Sequence, residues 1–187
     1  RGVFARYRQY VRAVDGVSFS IRAGQTLGLV GESGSGKSTI GRMITRLLEP
    51  SSGSMTFEGK DISHITGHEL RQFRPNVQMV FQDPYTSLNP RLTIEKIISE
   101  PLRINKWGTR KNIRARTREL LEAVGLSPRV ADRLPHEFSG GQMQRVAMVR
   151  AMALNPKLVV CDEPVSALDV SIQAKIMNLL VDLQQEF

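Results

Sequence analysis

The chain has 187 residues, a formal net charge of +8 and 41% hydrophobic residues, which fits one ordinary soluble globular domain. No apolar run reaches the length of about 18 residues that a membrane-spanning helix needs, and a single cysteine, Cys161, excludes an internal disulfide. Because the chain begins at Arg1 and ends within a predicted helix, we expect it to be part of a longer protein.

Predicted strands and helices alternate along the chain, which favours an α/β domain with a mainly parallel sheet. Strands are predicted at 13–21, 26–30, 54–59, 76–81 and 157–163, the last followed by the breaking residue Pro164. One helix is predicted from Lys37 to before Pro50, and the segment 84–138 is predicted to be mostly helical. Two further helices are predicted from apolar residues at helical spacing. The first has the face Ile113, Thr117, Leu120, Leu121 and Val124 and ends at Gly125. The second has the face Ile172, Ile176, Leu179, Leu180 and Leu183.

Residues 31–39 read GESGSGKST and fit the pattern G-x-x-x-x-G-K-[ST]. Glycines let successive backbone N–H groups point inward at phosphate oxygens, and the helix that follows adds its positive end. Lys37 would reach the β- and γ-phosphates, and the Ser38 hydroxyl would ligate Mg²⁺. The alternative is a flexible glycine–serine turn, but the apolar run before it and the helix after it favour nucleotide binding.

The predicted strand LVVC ends in two acids, Asp162 and Glu163. Placing carboxylates at the end of a buried strand costs free energy, so their presence there indicates a functional role. Asp162 would hold Mg²⁺ directly or through water, and Glu163 would activate or orient the water that attacks the γ-phosphate. The alternative is an ordinary surface turn, which the phosphate loop disfavours.

The stretch FSGGQMQR, 138–145, opens a predicted helix with Ser139 as its N-cap. The N-terminus of this helix is suited to binding phosphate, as is the N-terminus of the helix that begins at Lys37. One ATP molecule needs only one such helix N-terminus. We therefore expect it to serve a nucleotide held by another copy of the chain. The alternative is a capped helix with a glycine turn.

The stretch 103–118 holds seven lysines or arginines and no acid. A solvated helix face is the expected interpretation, and a partner surface or a lipid-headgroup surface is the alternative. Trp107 lies among these cations and could stack on nucleic acid, but we expect it to pack within the helical part of the molecule.

Together these motifs resemble the ATP-binding subunit of an ATP-binding cassette (ABC) transporter. GESGSGKST is similar to the Walker A motif, SGGQ to the family's signature, with Phe138 where leucine is commoner, and VVCDE to Walker B. VFQDP places Gln82 as the glutamine-loop residue, and SALD, 166–169, is similar to the dimer-contacting loop. Order and spacing agree across nearly the whole chain, and the flanking residues resemble the oligopeptide/dipeptide importer subgroup.

The resemblance implies a set of site residues. Glu163 and Gln82 are expected to be catalytic, Asp169 to contact a second subunit, and Ser38, Gln82 and Asp162 to hold Mg²⁺. The residues expected to bind ATP within one chain are Gly31, Ser33, Gly34, Ser35, Gly36, Lys37, Ser38, Thr39, Gln82 and Asp162. Those expected to act in trans are Ser139, Gly140, Gly141 and Gln142.

Two further parts of the family's site are expected outside these motifs. The switch histidine would fall beyond Phe187, and none of the three histidines of the chain can take its place. The aromatic residue that stacks on adenine would be Tyr7, Tyr10 or a residue upstream of Arg1. The chain by itself is therefore expected to be inactive or weakly active.

The implied fold is an ABC-type P-loop ATPase core with a mainly parallel sheet, an N-terminal antiparallel β part and a helical subdomain. We expect residues 1–187 to form a single, incomplete ABC ATPase domain. Within it, 84–138, extending into the 139–154 helix, would be the helical subdomain that carries the signature.

The implied function is ATP hydrolysis that powers import of a solute, oligopeptides or dipeptides, at the cytoplasmic face of the plasma membrane. Expected partners are transmembrane permease subunits, a second ATPase subunit in a head-to-tail homo- or heterodimer and, indirectly, an extracytoplasmic solute-binding protein. The alternative is a soluble ABC ATPase that uses the +8 charge on nucleic acid or ribosomes. The sequence has no long heptad insertion and no set of zinc-ligand cysteines, so no nucleic-acid partner is expected.

Overall fold

The computed structural model describes residues 12–166 and 169–186. Tyr7 and Tyr10, the candidate adenine-stacking residues, lie outside this part of the chain. The helices are α1 (Lys37–Ile44), α2 (Gly67–Phe73), α3 (Pro84–Ser87), α4 (Ile94–Ile104), α5 (Arg110–Ala123), α6 (Gly140–Met152) and α7 (Val170–Glu186). The strands are β1 (Thr56–Phe57), β2 (Lys60–Asp61), β3 (Val77–Val80) and β4 (Leu158–Cys161). None of these helices combines the length and apolarity needed to cross a bilayer.

Strands β3 and β4 pair in parallel, in two of the apolar runs from which strands were predicted, and all four residues of β4 are only partly buried. The register aligns Val77 with Leu158 and Val80 with Cys161. The ladder continues one step further, because the backbone N–H of Asp162 donates to the carbonyl of Val80 at 2.9 Å. The residues that follow both strands therefore lie at the same edge of the sheet.

The strand predicted at 54–59 is confirmed only for Thr56–Phe57, which form β1 and pair antiparallel with β2 just beyond that segment. Glu58 and Gly59 connect them with φ values of 49° and 79°, as a tight two-residue hairpin turn requires. The Phe57 ring meets Phe73 of α2 edge to face, with ring centroids 5.5 Å apart. This contact closes a small apolar cluster that also contains Ile62, Ile65 and Val77.

The strands predicted at 13–21 and 26–30 are wrong for the described structure, because neither segment pairs with a described strand. Val30 is 99% exposed and Leu27 44%. The second segment is instead tied to α7, where Thr26 Oγ1 donates to Gln184 Oε1 at 3.0 Å. A strand forms only where another backbone completes its hydrogen bonds, and a hydrophobic pattern does not report that partner.

Helix α1 begins at Lys37, as predicted, but ends at Ile44 and not near Pro50. Arg46 adopts a left-handed φ of 55°, which terminates the helix. The N–H groups of Leu47 and Leu48 then fold back onto the carbonyl of Arg42 at 2.8 and 3.0 Å. These two leucines leave the predicted helical stripe and are about half exposed.

Three helices of the second half begin at hydroxyl N-caps. The side-chain oxygens of Thr93, Thr109 and Ser139 accept from backbone N–H groups at the starts of α4, α5 and α6. Beyond α5, Gly125 has the positive φ of 68° that is common just past helix ends. The predicted N-cap at Ser139 and the predicted stop at Gly125 are both confirmed.

Helix α6 lies at the centre of the main core. Met143, Val146, Met148 and Val149 are each at most 1% exposed, so the helix is buried on most sides. The predicted face of α5 is confirmed: Ile113, Thr117, Leu120, Leu121 and Val124 are all buried. The predicted stripe of α7 packs on the same core, with Ile176 and Leu183 fully buried.

The basic stretch 103–118 is mostly exposed, as the solvated-face interpretation predicts. Arg114 lies 3.8 Å from Glu95 and Arg116 lies 3.4 Å from Glu119. Trp107 is 44% exposed, so the predicted packing applies to only part of its indole.

The core of α4 generates a stability prediction with a matched control on the same helix. Ile98 is fully buried, whereas Ile104 is 73% exposed. Replacing Ile98 by alanine should lower the free energy of unfolding by about 2–5 kcal/mol, because it removes buried methyl groups and leaves a cavity. Replacing Ile104 by alanine should change it by less than about 0.5 kcal/mol. Urea denaturation measures both, and equal losses would contradict this placement of the core.

Candidate nucleotide-binding site

The loop before α1 takes a backbone course that only glycine permits. Gly34 and Gly36 have φ values of 81° and 94°. A Cβ at Gly36 would lie 2.3 Å from the carbonyl oxygen of Ala13, and a Cβ at Gly31 would lie 2.8 Å from Ser35 Oγ. The loop is thus bare backbone held in a tight curl, a form suited to cradling phosphate.

Lys37 places its positive charge over this loop. Its Nζ donates to the carbonyls of Gly31 and Glu32, both at 2.8 Å. An ammonium group has three donors, so two hold the loop and one remains for a ligand. Loop and cation therefore form one unit with a fixed geometry.

Ser38 connects the glycine loop to the end of β4. Its hydroxyl donates to Asp162 Oδ1 at 2.7 Å in a partly buried position, across 124 residues of sequence. Oxygen atoms of this kind are the ligands that Mg²⁺ prefers. The structure thus brings together two of the three predicted metal-binding side chains.

Gln82 and Glu163 meet at the same edge of the sheet. Gln82 Nε2 donates to Glu163 Oε2 at 3.0 Å and to Ser166 Oγ at 3.2 Å. Glu163 has a φ of 45°, which is uncommon for a residue with a side chain and is a conformation seen at functional sites. The two predicted catalytic residues are therefore in direct contact.

Sequence reasoning missed Ser166 as a neighbour of these residues and placed it only in the dimer-contacting loop. Its hydroxyl also donates to the carbonyl of Glu163 at 3.1 Å. A serine three residues after a strand-end acid is the spacing of a local side-chain turn, and that was the available signal. Asp169, from the same predicted loop, is exposed, and its carbonyl accepts from the N–H groups of Ile172 and Gln173 at the start of α7.

The start of α6 is closed by a capping box. The Ser139 N–H donates to Gln142 Oε1 at 2.9 Å, and the Gln142 N–H donates to Ser139 Oγ at 3.4 Å. A Cβ at Gly141 would lie 3.0 Å from Ile172 Cγ2, so α7 approaches this turn closely. Within 12–166 and 169–186, no hydrogen bond joins residues 139–142 to the glycine loop. Their action in trans therefore stays a prediction.

Fold and site together define a class of protein. A glycine loop with its lysine, tied through a serine to an acid at the end of a parallel strand, is the arrangement of a P-loop nucleotide-binding domain. Comparison with known proteins then gives the family. The family model described as ABC transporter matches residues 14–166, so the chain belongs to the ABC transporter family.

Curated relatives match the chain over its whole length. It is 54% identical over 187 residues to the oligopeptide transport ATP-binding protein AppF of Bacillus subtilis. It is 52% identical over 187 residues to the di/tripeptide transport ATP-binding protein DppF of Pseudomonas aeruginosa. Both matches cover 100% of this chain, but 57% and 58% of the relatives. The chain therefore spans little more than half the length of these proteins, and the predicted likeness to the oligopeptide/dipeptide subgroup is confirmed.

Solved structures support the predicted fold. A dimeric ATP-binding cassette in a post-hydrolysis state, bound to ADP and Pi, is 35% identical with a TM-score of 0.82, over 93% of this chain and 75% of that one. The cassette cbiO1 of Clostridium perfringens, part of the transporter complex cbiONQ, is 31% identical with a TM-score of 0.83, over 93% and 68%. These likenesses confirm the ABC-type P-loop ATPase fold.

Cys161 lies directly before Asp162 and gives a chemical probe of the site. Burial raises the pKa of its thiol to about 11. At pH 8 the thiol is therefore protonated in the folded protein, whereas an unfolded cysteine, with a pKa near 8.5, is partly ionised. Alkylation by iodoacetamide at pH 8 should be more than about a hundredfold slower in the folded chain than in urea, and should accelerate as the pH approaches 11. Mass spectrometry follows the label, and equal rates in both states would contradict the burial.

Proposed function

We propose that this chain is the ATP-binding and ATP-hydrolysing part of a subunit that powers peptide import. The observation that carries the proposal is the 2.7 Å bond between Ser38 Oγ and Asp162 Oδ1, because it holds the phosphate loop and the strand-end carboxylate at one site. The relatives named above are oligopeptide and di/tripeptide transport ATP-binding proteins, which supports the substrate class. They lend no support to the nucleic-acid alternative.

In this proposal the triphosphate lies in the glycine loop. The N–H groups of the loop and of the first turn of α1 donate to phosphate oxygens, and the free donor of Lys37 reaches the β- and γ-phosphates. The positive end of α1 faces the same anion. The residues assigned to this task are Gly31, Ser33, Gly34, Ser35, Gly36, Lys37, Ser38 and Thr39.

The residues at the sheet edge fit Mg²⁺. Ser38 and Asp162 present a hydroxyl and a carboxylate oxygen within hydrogen-bond distance of each other, which suits a hard cation that takes oxygen ligands. The Nε2 of Gln82 donates to Glu163, so the Oε1 of Gln82 is the atom available to ligate the metal. When bound with ATP, Mg²⁺ would offset charge on the phosphate oxygens.

Glu163 is assigned to the attacking water. Its carboxylate accepts the proton of that water or orients it toward the γ-phosphate. Gln82 holds one of its oxygens at 3.0 Å, so the carboxylate is already oriented before substrate arrives. Asp162 is assigned to Mg²⁺ and not to the attacking water.

Assembly follows from the second phosphate-suited helix start. We assign Ser139, Gly140, Gly141 and Gln142 to the nucleotide of a second ATPase subunit in a head-to-tail homo- or heterodimer, with Asp169 at the contact. The dimeric cassette among the solved structures supports this arrangement. Further partners are membrane-embedded permease subunits and, through them, an extracytoplasmic solute-binding protein. The subunit would lie peripherally on the cytoplasmic face of the membrane.

We also assign the segment 84–138, extending into the 139–154 helix, as a helical subdomain within a single ATPase domain. The support is packing, since α4, α5 and α6 share one buried apolar core.

Replacing Lys37 by alanine in the complete protein should weaken Mg-ATP binding. Hydrogen bonds to charged groups contribute about 1.5–3 kcal/mol, so the dissociation constant should rise at least about tenfold. The matched control is Lys60→Ala, which removes an exposed lysine paired with Glu69 on the β1–β2 hairpin. Calorimetric titration measures both variants. Wild-type affinity in Lys37→Ala would contradict the phosphate-cradle assignment.

Replacing Glu163 by glutamine in the assembled transporter should preserve ATP binding and abolish both hydrolysis and peptide uptake. The amide keeps the shape of the side chain but neither accepts a proton nor carries charge. Glu58→Gln, at an exposed ion pair with Lys157, is the control. Phosphate release and uptake of a labelled dipeptide into proteoliposomes are measured together. Hydrolysis at the wild-type rate in Glu163→Gln would refute the role of this carboxylate.

A further inference from the structure

A tyrosine that no motif includes joins two parts of the site. Tyr85 lies in α3, three residues after Gln82, and its hydroxyl donates to the carbonyl of Phe138 at 3.0 Å in a partly buried position. The bond spans 53 residues of sequence. Phe138 directly precedes Ser139, the N-cap of α6.

The accepting peptide unit is held on both sides. The carbonyl of Phe138 accepts from Tyr85, while the N–H of Ser139, in the same peptide plane, donates to Gln142 Oε1 at 2.9 Å. The Phe138 side chain is buried in the main core. With both polar atoms and the adjacent side chain fixed, the orientation of this plane is determined, and with it the direction in which Ser139 enters α6.

The backbone of Tyr85 is attached to the glutamine loop, while the residue as a whole is 44% exposed. The N–H of Tyr85 donates to Asp83 Oδ1 at 2.9 Å, which caps the single turn of α3, and Pro84 is buried. Gln82, the next residue toward β3, contacts Glu163. A continuous set of bonded groups therefore runs from Glu163 through Gln82 and Tyr85 to the first turn of α6.

We propose that Tyr85 is a positioning residue that sets the start of α6 relative to the Gln82 loop. This inference rests on the proposed function, because the start of α6 is assigned there to the nucleotide of the second subunit. Binding of the chain's own ATP uses the glycine loop and does not involve Tyr85. Loss of the hydroxyl should therefore affect turnover by the dimer and spare nucleotide affinity.

The test removes only the hydroxyl, in the complete subunit assembled with its partners. In Tyr85→Phe, kcat for ATP hydrolysis should fall about tenfold, which corresponds to about 1.4 kcal/mol, while KM for ATP stays within about twofold. The matched control is Thr86→Val. The Thr86 hydroxyl donates to the carbonyl of Asp83 at 3.1 Å within the same turn and does not reach α6. This control should retain the wild-type kcat.

A second measurement does not need activity. Hydrogen exchange at the amides of Gln142 and Met143 should be at least about threefold faster in Tyr85→Phe than in wild type, and unchanged in Thr86→Val. A wild-type kcat in Tyr85→Phe, with or without a lower melting temperature, would make Tyr85 merely structural and overturn the inference. An equal loss of kcat in both variants would also overturn it. If the wild-type assembly hydrolyses no ATP, the proposed function fails, and unchanged exchange at the two amides would separately overturn the role of Tyr85.

Discussion

The parallel pairing of β3 with β4 determines where the candidate catalytic side chains lie. Val80 is aligned with Cys161, and the Asp162 N–H donates to the Val80 carbonyl. The segments that follow the two strands therefore leave the sheet side by side. Gln82 and Glu163, which are 81 residues apart in sequence, then come within hydrogen-bond distance. A shift of register by one residue would turn alternate side chains to the opposite face and separate these groups.

The glycine loop reaches this edge through one side chain. Ser38 is the second residue of α1, so the direction of the helix and the curl of the loop decide whether its hydroxyl meets Asp162. Gly36 permits the curl, because any Cβ there would overlap the carbonyl of Ala13. Loop, helix and strand end are therefore connected at one point, the bond between Ser38 and Asp162.

The buried helix α6 connects this arrangement to the rest of the molecule. Its interior face packs with α4, α5 and α7 in the main core, and its start carries the capping box. The carbonyl of Phe138, directly before the N-cap, accepts a hydrogen bond from Tyr85 of α3. The bond from Tyr85 to the Phe138 carbonyl and the bond from the Ser139 N–H to Gln142 connect the Gln82 loop to the start of this helix. The chain thus combines a tightly curled glycine loop with a second helix start that is closed by a capping box.

The sequence alone determined which residues form the candidate site, since glycine spacing, Lys37, Ser38 and the strand-end acids are local patterns with direct physical meaning. It also determined the helix ends at Ser139 and Gly125, because caps depend on neighbouring residues only. The contacts of Gln82 with Glu163 and of Tyr85 with Phe138 were decided by the tertiary structure, as was the early end of α1. The same holds for 26–30, which pairs with no strand among residues 12–166 and 169–186. Each of these depends on which distant backbone or side chain lies opposite, and hydrophobic periodicity along one segment carries no information about that partner.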